Sequence, residues 1–280
     1  MRVYLRHRTS YRYSVPVYLG PHVLRLTPRL GGDGGAGFRS HAIRVQPQPA
    51  AQRDSYDEFG NQITRLEFTG TTQLLSIDSQ AEVEPGPVAP LPHASLQPLP
   101  WFDASEHLQP YLRAAERDPN VQQFAQELVR RAPGDALPFL DSLAQTLYSR
   151  TRQQSRIAGG PRPVGVTLAQ QEGSCRDLAV LFIAACREVG IASRFTSGYS
   201  VPSDHTARTN DLHAWVEVWL PGIGWRGWDP AQGQRVSGSH VPLCAAASPA
   251  ATLPVEGGFS FVGQILNTTL EYDIQIDTSG

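Results

Sequence analysis

From Val3 onward the chain alternates in character. Leu5, Thr9, Tyr11, Tyr13 and Val15 fill odd positions, whereas Arg2, Arg6, Arg8 and Arg12 fill even ones. A period of two sends successive side chains to opposite faces of an extended backbone, so the pattern predicts a strand with one wet, cationic face. HAIRVQP, QITRLEF and TQLLSI share this β-like composition and are separated by turns rich in Gly, Pro and Asp. Together these runs predict an antiparallel sheet module. The proline-rich stretch from Glu84 to Pro100 then reads as an extended connector.

Beyond Trp101 the apolar spacing becomes helical, with Val121, Phe124, Ala125 and Leu128, then Phe139, Leu140, Leu143, Leu147 and Tyr148. AGGPRPVG interrupts that run. Leu178, Leu181, Phe182, Ala185 and Val189 next predict a helix from about Cys175 to Val189, with Gly173-Ser174 as turn and N-cap and Gly190 as the left-handed residue after its end. SRFTSGYSV, HAWVEVWL and WRGWD follow as strands. After Gly238 the chain is rich in Ala and Pro until FSFVGQILNTTLEYDIQID, which alternates and is expected to return as a strand to one of the sheets. The expected fold is α+β. Residues 1–100 would form an N-terminal β-sheet domain with its connector, 101–240 a core of helices on an antiparallel sheet, and 241–280 a tail ending in the returning strand.

With 40% hydrophobic and 18% charged residues and a formal net charge of −2, the 280 residues describe an ordinary globular protein. That balance gives no reason to expect nucleic acid or a membrane surface as partner. No apolar run approaches the roughly 20 residues of a membrane span, and MRVYLRHRTSYRYSV lacks the apolar core of a signal peptide. All 24 basic residues are Arg, so the protein offers no side-chain amine of its own. Three widely spaced cysteines fit reduced thiols in the cytoplasm and do not have the short spacing of zinc ligands. No metal or organic cofactor is expected.

Cys186 lies among Ala184, Ala185 and Val189, and Cys244 lies in an Ala-rich stretch; both read as small apolar fillers. Cys175 differs, because a thiol in the first turn of a helix lies beside unpaired backbone N–H groups and the positive end of the helix dipole, where the thiolate forms more readily. It needs a base. His213 heads an alternating run that puts Trp215, Glu217 and Trp219 on its own face and Ala214, Val216, Val218 and Leu220 on the other. PGIG supplies a turn, and the return strand reaches Asp229.

The phrases GSCRDLA with REVGIASRFTSGY, LHAWVEVWLPGIGW and GWDPAQG, in this order, resemble the transglutaminase-like superfamily of papain-type thiol enzymes. RHRTSYRYSVPV, LRLTPR and DEFGN are similar to the N-terminal β region of its bacterial members. The resemblance implies a papain-like core in which Cys175 attacks an amide carbonyl, His213 takes the thiol proton and returns one to the leaving amine, and Asp229 holds the imidazole. The oxyanion would be met by the backbone N–H of Cys175, with Gln170 or Gln171 as candidates for a second donor. Relatives often continue through a His-containing strand into GRDY; His240 matches that strand, and the Arg-Asp-Tyr is absent. The implied activity is hydrolysis of peptide or isopeptide bonds in a protein or peptide substrate. Transfer of the acyl group from a glutamine-like amide to an amine, and an inactive binding scaffold, are the alternatives.

Asp177, Asp204, Asp211 and Glu217 are rival orienters for His213; Asp177 is also suited to charging the first helical turn. Trp215, Trp225 and Trp228 read as core or cleft-wall aromatics, and Arg194 either meets a buried carboxylate or lies exposed. Hairpin register separates the outcomes. Pairing Leu220 with Trp225 would put Asp229 opposite Val216, facing away from His213. Pairing Leu220 with Gly224 puts Asp229 opposite Trp215 and near His213. The triad therefore predicts an odd-numbered loop or a bulge, with Gly222 and Gly224 supplying left-handed backbone.

Overall fold

The computed structural model describes residues 1–29, 36–86, 88, 90–91, 96–102, 105–113, 117–132, 135–156, 159–201, 212–263 and 265–279. The alternating start is one long strand, β1 (Arg2–Leu24), with Val3, Leu5, His7, Thr9 and Tyr13 buried and Arg2, Tyr4, Arg8 and Arg12 exposed. The three further β-like runs fall in β2 (Ala36–Gln46), β4 (Gln62–Glu67) and β5 (Thr72–Pro85), and between them lies the unforeseen β3 (Ala51–Tyr56). All belong to a seven-stranded sheet in which β2-β5-β1-β4-β3 are neighbours in that order. On its wet face Arg6 and Arg8 both bind Asp78, at 2.7 and 2.9 Å, and hold its carboxyl down at about 2, although burial acts the other way.

The helical region contains α1 (Gln109–Leu112), α2 (Pro119–Arg131) and α3 (Ala136–Arg150). Asp118 and Asp135 cap the latter two by accepting first-turn amides. Two two-residue strands, β6 (Arg152–Gln153) and β7 (Glu172–Gly173), pair in parallel around α4 (Val164–Gln170). The helix expected at Cys175 is α5 (Cys175–Glu188), and Gly190 just beyond it has φ of 78°.

A second sheet runs β11-β10-β9-β8-β12, made of β8 (Ser193–Ser200), β9 (His213–Leu220), β10 (Gly224–Asp229), β11 (Gln234–Arg235) and β12 (His240–Ala246). Leu178, Phe182 and Ala185 of α5 share one buried cluster with Ala214, Val216, Val218 and Leu220 of β9, so the apolar face of the strand supports the helix that begins at Cys175. One expectation needs correction. The boundary at residue 240 cuts off β12, which is an edge strand of this second sheet; all seven of its residues are buried. A strand covered on both faces shows no alternation, so its Ala-rich sequence resembled a loop. The chain then returns to the first sheet twice, through β13 (Val255–Ser260) and β14 (Thr268–Ser279), both antiparallel to β1.

The two sheets meet in a shared apolar cluster that includes Val3, Leu5, Leu24 and Leu75 from the first and Tyr199, Val241 and Leu243 from the second. On the edge of β12 that does not pair with β8, Asn61 donates to the Ala245 carbonyl at 2.9 Å and accepts from its N–H at 2.8 Å, and the Arg29 N–H donates to the Pro242 carbonyl at 2.8 Å. Asn61 is itself held by Asp57 of the DEFGN turn. No helix among the described residues is long and apolar enough to cross a membrane.

Candidate active site

Cys175 is the first residue of α5 and is partly exposed. Its setting is organised by Asp177, which accepts from the Ser174 backbone N–H at 2.7 Å and the Ser174 hydroxyl at 2.9 Å. The other Asp177 oxygen accepts from the Arg156 guanidinium and the Arg162 backbone N–H, both at 2.7 Å. The loop before α5 is thereby tied to its first turn. Asp177 is spent on this clamp and does not orient the histidine.

His213 begins β9, and its Nε2 lies 2.6 Å from Asp229 Oδ2. Cys175, at the start of α5, is near enough to act on the same ring. Burial opposes charge on this imidazole, but Asp229 and Cys175 outweigh it and push His213 up to about 10. Asp229 is fully buried, and burial alone would neutralise it. Its Oδ2 also meets His240 Nε2 at 3.0 Å, while Oδ1 accepts the Ala231 and Gln232 backbone N–H groups at 2.9 and 3.2 Å. The two imidazoles therefore overcome desolvation and hold Asp229 well below the ordinary carboxylate range. The structure thus joins His213 to Asp229 and sets Cys175 near enough to raise the same imidazole.

The hairpin supplies the reason. Leu220 pairs with Gly224, Trp219 with Trp225 and Val216 with Trp228, which leaves a three-residue loop. Ile223 N–H donates to the Leu220 carbonyl at 3.0 Å across Pro221 and Gly222. Gly222 has φ of 73°, as a turn with Pro at its second and Gly at its third position requires, and Gly224 follows at 97°. An odd loop keeps Asp229 on the His213 face.

The other rivals are accounted for or lie elsewhere. Glu217 accepts from Arg194 Nε at 2.7 Å and faces Arg29 at 3.5 Å, and these guanidiniums override its burial and hold its pKa low. Arg194 also lies 4.1 Å over the Trp225 ring, so it meets both a buried carboxylate and an aromatic face. Asp204 and Asp211 lie outside the described residues. Trp215 and Trp228 are fully buried, and Trp215 stacks beside His213 with ring centres 6.2 Å apart. Cys186 and Cys244 are buried fillers whose thiols burial pushes up, Cys244 to about 12. Gln170 and Gln171 end α4 with exposed side chains. His213, Asp229 and His240 offer ligand atoms within 4.8 Å of one another, but both imidazole Nε2 atoms converge on one carboxylate oxygen, an arrangement of hydrogen bonds rather than of three ligands around an ion.

His240 was recognised in the sequence only as matching a strand of relatives. Its bond to Asp229 could not be read there, because β12 and β10 are not neighbours in the sheet.

Residues 3–84 match the bacterial transglutaminase-like N-terminal region, and residues 122–230 match the transglutaminase-like superfamily. An uncharacterized protein of Mycobacterium tuberculosis is 28% identical over 274 residues, covering 91% of this chain and 87% of its own. Another, from Mycobacterium leprae, is 25% identical over 277 residues, covering 92% and 93%. A solved structure from Cytophaga hutchinsonii, described as a candidate cysteine protease, has a TM-score of 0.75 at 17% identity and covers 100% of this chain and 92% of that one. At that identity the likeness is one of fold. The chain carries a transglutaminase-like superfamily core preceded by the N-terminal region found in bacterial members.

Proposed function

We propose that the protein is a cysteine-dependent hydrolase of amide bonds, peptide or isopeptide, in a protein or peptide substrate. The observation that carries this reading is His213 itself, bound through Nε2 to a buried carboxylate at 2.6 Å and raised in pKa by that carboxylate and by Cys175, a thiol at a helix start. His213, raised to about 10, already carries the proton taken from Cys175 and pairs with the sulfur as it adds to the carbonyl carbon. The developing oxyanion is met by the Cys175 backbone N–H. The C–N bond then breaks, His213 returns the proton to the leaving amine, and a thioester remains. Water, deprotonated by His213, releases the acid and restores the thiol. Asp229 fixes the ring and stabilises its cation at each stage. An amine in place of water would turn the same thioester into a transfer product, and that amine would come from another molecule because the chain contains no Lys.

The test is site-resolved alkylation by iodoacetamide in the native protein and in His213→Ala. Cys175 is expected to label at about pH 7 far ahead of Cys186 and Cys244, and to lose that lead in the variant. Labelling of Cys175 that is unchanged by the substitution would return it to an ordinary thiol and favour the scaffold reading. If the lead is His213-dependent, amide peptides with and without added amine separate hydrolysis from transfer.

A further inference from the structure

β10 and β12 are separated in the sheet by β9 and β8. At about 4.8 Å per strand, a flat sheet would hold them roughly 14 Å apart. Yet His240 Nε2, at the start of β12, lies 3.0 Å from Asp229 Oδ2, at the end of β10. The sheet is therefore rolled, and this hydrogen bond joins its two flanks across the roll. Gln232 Nε2 donates to the Ser200 hydroxyl at 2.7 Å and reinforces the same closure.

The contact is fully buried, with His240 and Asp229 side chains each at 0% exposure. Trp215 fixes the ring from one side, edge-on at 5.1 Å, while itself lying beside His213. The Ser239 hydroxyl stands 3.4 Å from His240 Nδ1, which orients Nε2 toward the carboxylate. Asp229 then has four donors: two backbone N–H groups on Oδ1 and two imidazoles on Oδ2. Such a carboxylate cannot rotate about its own axis without breaking several of them. A carboxylate bound by His213 alone on that side would be held against the ring's motion only by the two backbone N–H groups on Oδ1.

We propose that His240 is a positioning residue of the Cys175 site: by donating Nε2–H to the Asp229 oxygen that also receives His213, it fixes the carboxylate against which the catalytic imidazole is aligned. It touches no reacting atom. The proposal rests on the assignment of Cys175, His213 and Asp229 under Proposed function.

The experiment measures Cys175 alkylation against pH in the full chain, with His240→Leu and His240→Gln beside the native protein and His213→Ala. His240→Leu removes the donor. It is expected to slow labelling at neutral pH by about tenfold or more, as small misplacements of a reacting group do. Its labelling profile against pH is expected to differ from the native one, because the carboxylate that aligns His213 is less firmly held. His213, His240 and Asp229 are the titratable groups that meet at this point. His240→Gln can present an amide N–H to the same oxygen and is expected to recover most of the native rate and profile. A purely packing role predicts the reverse, with the apolar Leu tolerated and the polar Gln not.

If His240→Leu folds and labels with the native profile, the proposal is wrong while the thiol–imidazole assignment stands. If labelling in the native chain does not depend on His213, the assignment itself fails. Should His240→Leu not fold, the tautomer decides: nitrogen-15 spectra of histidines in the native protein are expected to show His240 protonated at Nε2, and a proton on Nδ1 alone would overturn the proposal.

Discussion

Asp229 is buried yet held charged, so its surroundings determine its effect on stability. Its carboxyl lies below the ordinary range when folded, so its contribution is present above pH about 4 and is lost as pH falls. His213 is raised, so its contribution is full below about 6.5 and is lost as pH rises through about 10. Native Tm is therefore expected to fall on both sides of that interval. Asp229→Asn removes the partner of both shifts and should flatten the profile; parallel curves for the two proteins would contradict the coupling. Under the proposed hydrolase mechanism it should also lower amide turnover roughly 10⁴-fold, as loss of a histidine-orienting carboxylate does elsewhere. The positions of Cys175, His213 and Asp229 were legible because each sits in a local pattern: a helix start, a strand start and the far end of a hairpin. The fate of Glu217 was not, since two of the groups that neutralise it, Arg194 and Arg29, come from separate strands or loops.

Elements with strong periodicity were read correctly, α5 and the β9–β10 hairpin above all, and hairpin register followed from requiring Asp229 and His213 to share a face. β3 was missed because its residues are largely exposed and polar. The short α4 was hidden behind Gly160, Pro161 and Pro163, and β12 behind its lack of alternation. The hairpin turn offers a clean test of backbone cost, because a methyl group at Gly222 would meet nothing within 4 Å while its φ of 73° disfavours any L side chain. Gly222→Ala should therefore destabilise the protein by about 1 kcal/mol through conformation alone, measured by urea unfolding. An unchanged midpoint would mean that the loop adopts another turn without cost.

At the level of the whole molecule, the sequence foretold a returning strand but not its partner. Alternation in Thr268–Ser279 shows that one face is covered, whereas its pairing with β1 depends on how the intervening core brings the chain back. The docking of the two sheets was likewise illegible, for its polar contacts include one side-chain amide far away in sequence. Asn61 imitates a peptide group at the edge of β12, satisfying both main-chain groups of Ala245. Asn61→Ala would leave those groups without that partner and should cost about 1–3 kcal/mol; a denaturation midpoint equal to the native one would refute this. The same feature has a consequence for solubility. β12 is apolar on both faces, and the edge that Asn61 covers would, if bared, be a template for pairing with other chains. The N-terminal region covers that edge, and cleavage that released it from the core would be expected to produce aggregates instead of a smaller folded core.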